Sequence, residues 1–208
     1  EERMQMVVCT GALGISPLLS RTLGDLHIPF PTLHLELVHG CGMSAERWLL
    51  ERQGEMVFSW GEFRQLPKEI SMKNICTQGC AVLMSQDDPL AASNHLSCTM
   101  LREHSFILPA AQDEEFARHY RRLLEELKLS ASGNLIAQDS DSLFFMIRAG
   151  MGMALVPQGI FDAEPQGMAV RPLDDAGAFG SWKVLYRQED TLRPLKHLLG
   201  ILEEKYVD

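Results

Sequence analysis

The pattern that most constrains this chain is the alternation of element types over residues 4–60. "MQMVVCT" (Met4–Thr10) is a short continuous apolar run with β-branched residues, as a buried strand requires. "GALGISP" follows, and Pro17 suits a first helical turn, where the missing N–H leaves no bond unmade. Leu18, Leu19, Leu23 and Leu26 then recur at helical spacing until "IPFP" stops the helix. "TLHLELV" (Thr32–Val38) alternates apolar and polar, a second strand. Ser44 is the expected N-cap of a short helix that ends at Gly54, and "EMVFSW" (Glu55–Trp60) is a third strand. Strand, helix, strand, helix, strand means helices crossing over a parallel sheet. An α+β chain with an antiparallel sheet is the alternative, and the helical spacing and short loops oppose it.

Beyond Gly61 the signal weakens, with strand-like pieces only at "EISM" and "NICT" before the buried strand "CAVLMS" (Cys80–Ser85). "QDDPLAAS" reads as a turn, and "SCTMLREHSFILP" as a short helical piece followed by a strand, Ser105–Leu108. A helix over Asp113–Leu129 carries Phe116, Tyr120, Leu123, Leu124 and Leu127 on one stripe, and its acidic start suits the helix dipole. "NLIAQ", "GMAVRPL" and "SWKVLYRQ" are further strands, and a closing helix has Pro194 near its start.

Charge and cysteines narrow the function. Lys plus Arg total 19 against 28 for Asp plus Glu, a formal charge of -9, so this chain is a poor holder of duplex DNA by itself. No apolar run approaches the ~20 residues of a membrane span, and the opening "EERMQMVVCT" lacks the features of a signal peptide. The five cysteines (Cys9, Cys41, Cys76, Cys80, Cys98) are odd in number and show no paired CxxC pattern. Reduced thiols in the cytoplasm are the expected state; a metal site or a redox switch is the lesser reading. The histidines show no HExxH spacing, "GISP" is no nucleophile elbow, and "GALGIS" is a poor dinucleotide loop. No catalytic set and no cofactor site stands out.

"DSDSLFFMIRAGMGMALVP" (Asp139–Pro157) is a polar helix start directly after one strand, an apolar helix, a break at Gly150 and Gly152, and a second strand. Such a unit sets a helix N-terminus at the carboxyl end of a strand, where α/β proteins place small molecules. Asp139 or Ser140 is equally read as the plain N-cap of that helix.

Taken in order, "CTGALGISPLL", "FPTLHLELVHG", "EMVFSW", "VLMSQDDPLAASNHLSCTMLREHSFIL" and "DSLFFMIRAGMGMALVP" resemble the effector-binding domain of LysR-type transcriptional regulators. Phe30-Pro31 leads an alternating strand to Gly40; Pro89-Leu90-Ala91 follows a strand; Ala149-Gly150-Met151-Gly152 leads a strand to Pro157. The chain departs from the family pattern at Asp88, where a His is usual, and at Gly54-Glu55, where a Leu-Asp pair is common.

The resemblance implies an α/β fold of two Rossmann-like subdomains joined by two crossing segments, periplasmic-binding-protein-like (type 2). Residues 1–79 with 188–208 would form subdomain I and 80–187 subdomain II, with the effector in the cleft between them. It implies a sensor module without enzymatic activity, lacking the family's N-terminal winged helix-turn-helix, so that DNA is reached only through that missing domain. A free-standing solute-binding protein and a small α/β enzyme of the same fold are the other readings. The expected effector-binding residues are Thr10, Gly11, Ala12 and Leu13 in a loop extending to Ser16, Cys41 and Gly42 one strand over, and Asp139, Ser140 and Ser142 at the second helix start. Trp60 and Phe106 complete the expected set, with core packing an equal reading for Trp60 and the more natural one for Phe106. A small, partly apolar molecule with one polar end is the expected effector. The chain is expected to form a homodimer or tetramer, pairing helix Asp113–Leu129 of one copy, with its outer Arg118, Arg121 and Arg122, against helix Ile15–Leu26 of another.

Overall fold

The computed structural model describes residues 4–11, 13, 17–110 and 114–206. The chain divides into two compact units, one of Glu1–Cys76, Gln112–Glu115 and Ser181–Asp208, the other of Thr77–Ala111 and Phe116–Gly180. In chain order the elements are β1 (Gln5–Thr10), α1 (Pro17–His27), β2 (His34–His39), α2 (Ala45–Leu50), β3 (Met56–Ser59), β4 (Ile70–Ser85) and β5 (Ser105–Pro109). There follow α3 (Glu114–Glu126), β6 (Ser130–Ala137), α4 (Ser140–Arg148), β7 (Ala154–Pro157), β8 (Met168–Pro172), β9 (Ala178–Arg187) and α5 (Arg193–Tyr206).

In the first unit β1 lies between two parallel neighbours, with Gln5 opposite His34 on β2 and Val8 opposite Met56 on β3. This is the parallel arrangement that the strand–helix alternation demanded. β9 then joins β3 antiparallel, Met56 opposite Tyr186, and has β4 as its other neighbour. The centre of the sheet is apolar: Met6, Val8, Cys9, Met56 and Phe58 are all 0% exposed. Phe58 stacks on Trp182 with ring centroids 4.6 Å apart and planes 17° apart. The edge strand β2 is mostly exposed, which its alternating polar residues allow.

α2 is shorter than its sequence suggested. Ser44 caps it, its hydroxyl accepting from the Arg47 amide, but the helix stops at Leu50. Arg52 takes a left-handed φ of 55°, and a side chain at Gly54 would overlap the Trp48 ring at 2.0 Å. The buried guanidinium of Arg187 replaces further helical bonds, donating to the carbonyls of Leu49 (2.8 Å) and Gly54 (2.6 Å) and pairing with Asp190 at 2.6 Å.

In the second unit β5 pairs parallel with β6, and β4 pairs antiparallel with β7 and with β8. β6 and β7, which flank α4, are not partners. A parallel bridge between Phe106 and Met153 places β5 between them, as expected of a crossover that skips a position. Gly152 is required there, because a Cβ would stand 2.8 Å from the Ser105 carbonyl oxygen. The stripe on α3 packs inward, with Phe116, Tyr120, Leu123 and Leu124 all buried, and the Tyr120 hydroxyl accepts from the Leu155 amide at 2.9 Å.

The weak region after Gly61 is one long strand. β4 runs for 16 residues, half-exposed over much of its first part and buried from Cys80 to Ser85. Lys73, Asn74 and Gln78 interrupt its apolar pattern, so the sequence shows pieces where the backbone is continuous. Asp88 has a local role: its carboxylate accepts from the Leu90 amide at 2.9 Å and caps the 3-10 turn at Pro89–Ala92.

Candidate functional site

In the first unit the end of β1 is held from both sides. The Thr10 carbonyl accepts from Gly40, and the Gly11 amide donates to Phe58, both at 2.9 Å. Thr10 is 1% exposed, and its hydroxyl faces the Val38 carbonyl at 3.4 Å. Leu13 stands in the left-handed region at φ 56°, strained for a branched side chain. Its carbonyl accepts from the indole N–H of Trp60 at 3.3 Å. Trp60 is 2% exposed and is counted with the core. Ala12, Gly14 and Ser16 lie outside the described residues.

Cys41 sits between Gly40 and Gly42, both at left-handed φ (73° and 65°), and its sulfur is 2.7 Å from that of Cys9. Cys41 and Gly11 share a cavity of about 10 Å³ with Met43, Ala45, Val57, Ser59 and Glu115. That enclosed volume is room for about one water. Sequence reasoning missed Ser59, Glu115 and Cys9. Ser59 carried a signal, a hydroxyl closing an otherwise apolar strand; its oxygen accepts from the Gly61 amide at 2.9 Å. It also missed Lys183, which stands opposite Ser59 in the sheet register. Burial lowers the pKa of Lys183, and its ammonium donates to the carbonyls of Gly61 (3.0 Å) and Ser181 (3.1 Å).

In the second unit Asp139 is the N-cap of α4. Its carboxylate accepts from the Ser142 amide at 2.8 Å and the Ser142 hydroxyl at 2.7 Å, and the Asp139 amide donates back to that hydroxyl at 3.1 Å. This reciprocal capping box commits Asp139 and Ser142 to each other. It also sets a carboxylate on the helix end that would otherwise attract an anion. Ser140, the first helical residue, is half-exposed. Phe106 is 0% exposed in β5 and is core, as its place in an apolar strand suggested.

A second cavity, of about 240 Å³, is lined by Gly159–Glu164 and Val170 and contains no residue that the sequence singled out. At its rim Arg171 pairs with Glu164, and that carboxylate, which also accepts from the Val170 amide at 3.2 Å, is held below its ordinary pKa. Among the described residues no group of three His, Cys, Asp or Glu side chains could hold a metal ion, and no helix is long and apolar enough to cross a membrane.

Residues 5–206 match the family model of the LysR substrate binding domain. No curated protein matches the chain. Among solved structures, full-length CbnR complexed with its target DNA superposes with a TM-score of 0.79 at 16% identity, covering 96% of this chain and 70% of that one. The regulatory domain of Synechocystis PCC6803 CcmR, in complex with 2-PG, gives a TM-score of 0.72 at 14% identity over 97% of both chains. The effector binding domain of QuiR, in complex with shikimate, gives 0.76 at 8% identity, covering 99% of this chain and 100% of that one.

Proposed function

The chain belongs to the LysR substrate-binding domain family and is an effector-sensing regulatory domain with the periplasmic-binding-protein-like type 2 fold; from that premise we propose where and what it binds. The effector is a small molecule, bound without turnover, that contacts Thr10–Leu13, Cys41–Gly42 and Ser140. The observation that carries the reading is the family match over residues 5–206, because it spans all three strand–helix turns from which these contacts come. The cap on α4 supports a polar but uncharged group at that end, since a ligand carboxylate would face Asp139. Shikimate and 2-PG, bound by the QuiR and CcmR domains, are the anionic ligands against which uncharged ones are compared.

Binding acts by favouring one arrangement of a larger regulator, whose DNA contacts come from a separate N-terminal domain. The chain's net charge of -9 supports that division of labour. Five cysteines, an odd number, support a reducing compartment, the cytoplasm. Assembly is a homodimer or tetramer that joins the outer face of α3 to α1 of another copy. Arg118 and Arg121 are exposed on that face. Tyr120 is 2% exposed and belongs to the core, so it is not a contact residue.

A thermal-shift panel of small metabolites that includes shikimate and 2-PG tests the binding. A ligand at 100 times its Kd adds about 2.7 kcal/mol, a rise of several degrees, and Ser140→Ala or Cys41→Ala should shrink it. Stabilisation only by multiply charged ligands, unchanged in both variants, would overturn the proposal, as would turnover of any ligand.

A further inference from the structure

We infer that Cys9 and Cys41 form a redox-active thiol pair that closes to an intrachain disulfide, making this unit a site of reversible oxidative modification. Their sulfurs stand 2.7 Å apart, so the bond, about 2.05 Å long, needs an approach of only roughly 0.7 Å. The architecture creates the contact. The parallel register sets Cys9 opposite Val38, and the left-handed turn at Gly40 brings Cys41 back over the end of β1.

The two sulfurs have different surroundings. Cys9 is 0% exposed, packed among Trp48, Leu49, Val57 and Leu185. Cys41 is half-buried and lines the small cavity at the end of β1. Cys41 is therefore the sulfur a peroxide reaches first. Its thiolate attacks one oxygen of hydrogen peroxide; the O–O bond breaks, and the departing hydroxide takes the proton the thiol gave up. Cys41 is left as a sulfenic acid. The Cys9 sulfur then attacks the Cys41 sulfur, forming the S–S bond and breaking the S–O bond, and the Cys9 proton leaves with the hydroxyl as a second water. In balance, two thiols and one peroxide give one disulfide and two waters. A dithiol reductant reverses the bond by exchange.

The other three cysteines are guarded. Burial raises the pKa of Cys76, pushes Cys80 up to about 12, and with the Asp175 carboxylate beside it pushes Cys98 up to about 11. They remain thiols, which are poor nucleophiles, near neutral pH. A closed disulfide would clamp the Cys41–Gly42 turn to the end of β1. Any effect on effector affinity rests on the binding site proposed above; the bond itself does not, and the experiment reads the bond.

The reduced chain is treated with hydrogen peroxide, remaining thiols are alkylated under denaturing conditions, and tryptic peptides are mapped by mass spectrometry. Arg21 lies between the two cysteines, so they fall in separate peptides. The expected result is one product, the Cys9 peptide joined to the Cys41 peptide, lost on treatment with dithiothreitol. In Cys9→Ala the link disappears and Cys41 is trapped by dimedone as the sulfenic acid. Recovery of Cys9 and Cys41 as alkylated free thiols, at a peroxide dose that oxidises a small-molecule thiol in the same tube, would overturn the inference. So would disulfides that pair either residue mainly with Cys76, Cys80 or Cys98.

Discussion

The indole N–H of Trp60 donates to the carbonyl oxygen of Leu13 at 3.3 Å, tying the residue after β3 to a left-handed residue in the turn after β1. The bond is buried, with Trp60 2% and Leu13 7% exposed, so water does not replace it. Trp60→Phe keeps an aromatic ring but removes the donor. We expect a loss of about 1–2 kcal/mol in urea unfolding, with faster exchange of the turn's Gly11 amide, which donates to Phe58. Unchanged exchange there would mean that the turn is held by other contacts.

Arg187, on the same face of β9 as Leu185, anchors the short helix α2. Its guanidinium, 5% exposed, donates to two main-chain carbonyls and pairs with Asp190. Arg187→Met strands the Asp190 carboxylate and the Gly54 carbonyl, which costs about 3–5 kcal/mol. Chemical denaturation measures this, and Arg187→Lys should recover only a part, because an ammonium lacks the planar fork.

Gly152→Ala drives a methyl group to 2.8 Å from the Ser105 carbonyl, so β5 and the segment leading to β7 must separate. We expect destabilisation of about 1–3 kcal/mol. Gly177→Ala, whose Cβ would meet nothing within 4 Å, is the control and should stay within about 0.5 kcal/mol of the parent.

The buried thiol of Cys80 makes stability fall at high pH. Burial and the nearby Cys98 raise its pKa from 9.0 to about 12. Below pH 9 the thiol is protonated in folded and unfolded chains alike, and its contribution is fully present. Above that value the unfolded chain ionises first, so the contribution drains away until pH passes about 12. Urea midpoints at pH 8 and pH 10.5 should differ less in Cys80→Ala than in the parent; an equal difference would assign the fall to other groups.

The fold was legible where period and punctuation agree. The alternation over residues 4–60, the α3 stripe, the Ser44 cap and the glycines before β7 all appear as the sequence suggested. β4 was legible only in pieces because its polar half sits half-exposed, and β6 only as "NLIAQ" because its opening "SASG" is largely exposed. At the candidate site, spacing points to the three strand–helix turns and carries nothing of their hydrogen bonding. A choice between Asp139 and Ser140 as cap depends on geometry, and composition does not supply it. The Cys9–Cys41 contact joins residues 32 apart and follows only once the β1–β2 register is known.

Backbone amide NMR of the chain, titrated with a metabolite that raises its melting temperature, tests the proposed sensing site most directly. We expect the saturating shifts to gather at Thr10–Leu13, Cys41–Gly42 and Ser140–Ser142 together, with the Cys41 signal among the most displaced. Shifts confined to Gly159–Glu164 and Val170, the lining of the other cavity, would contradict the account.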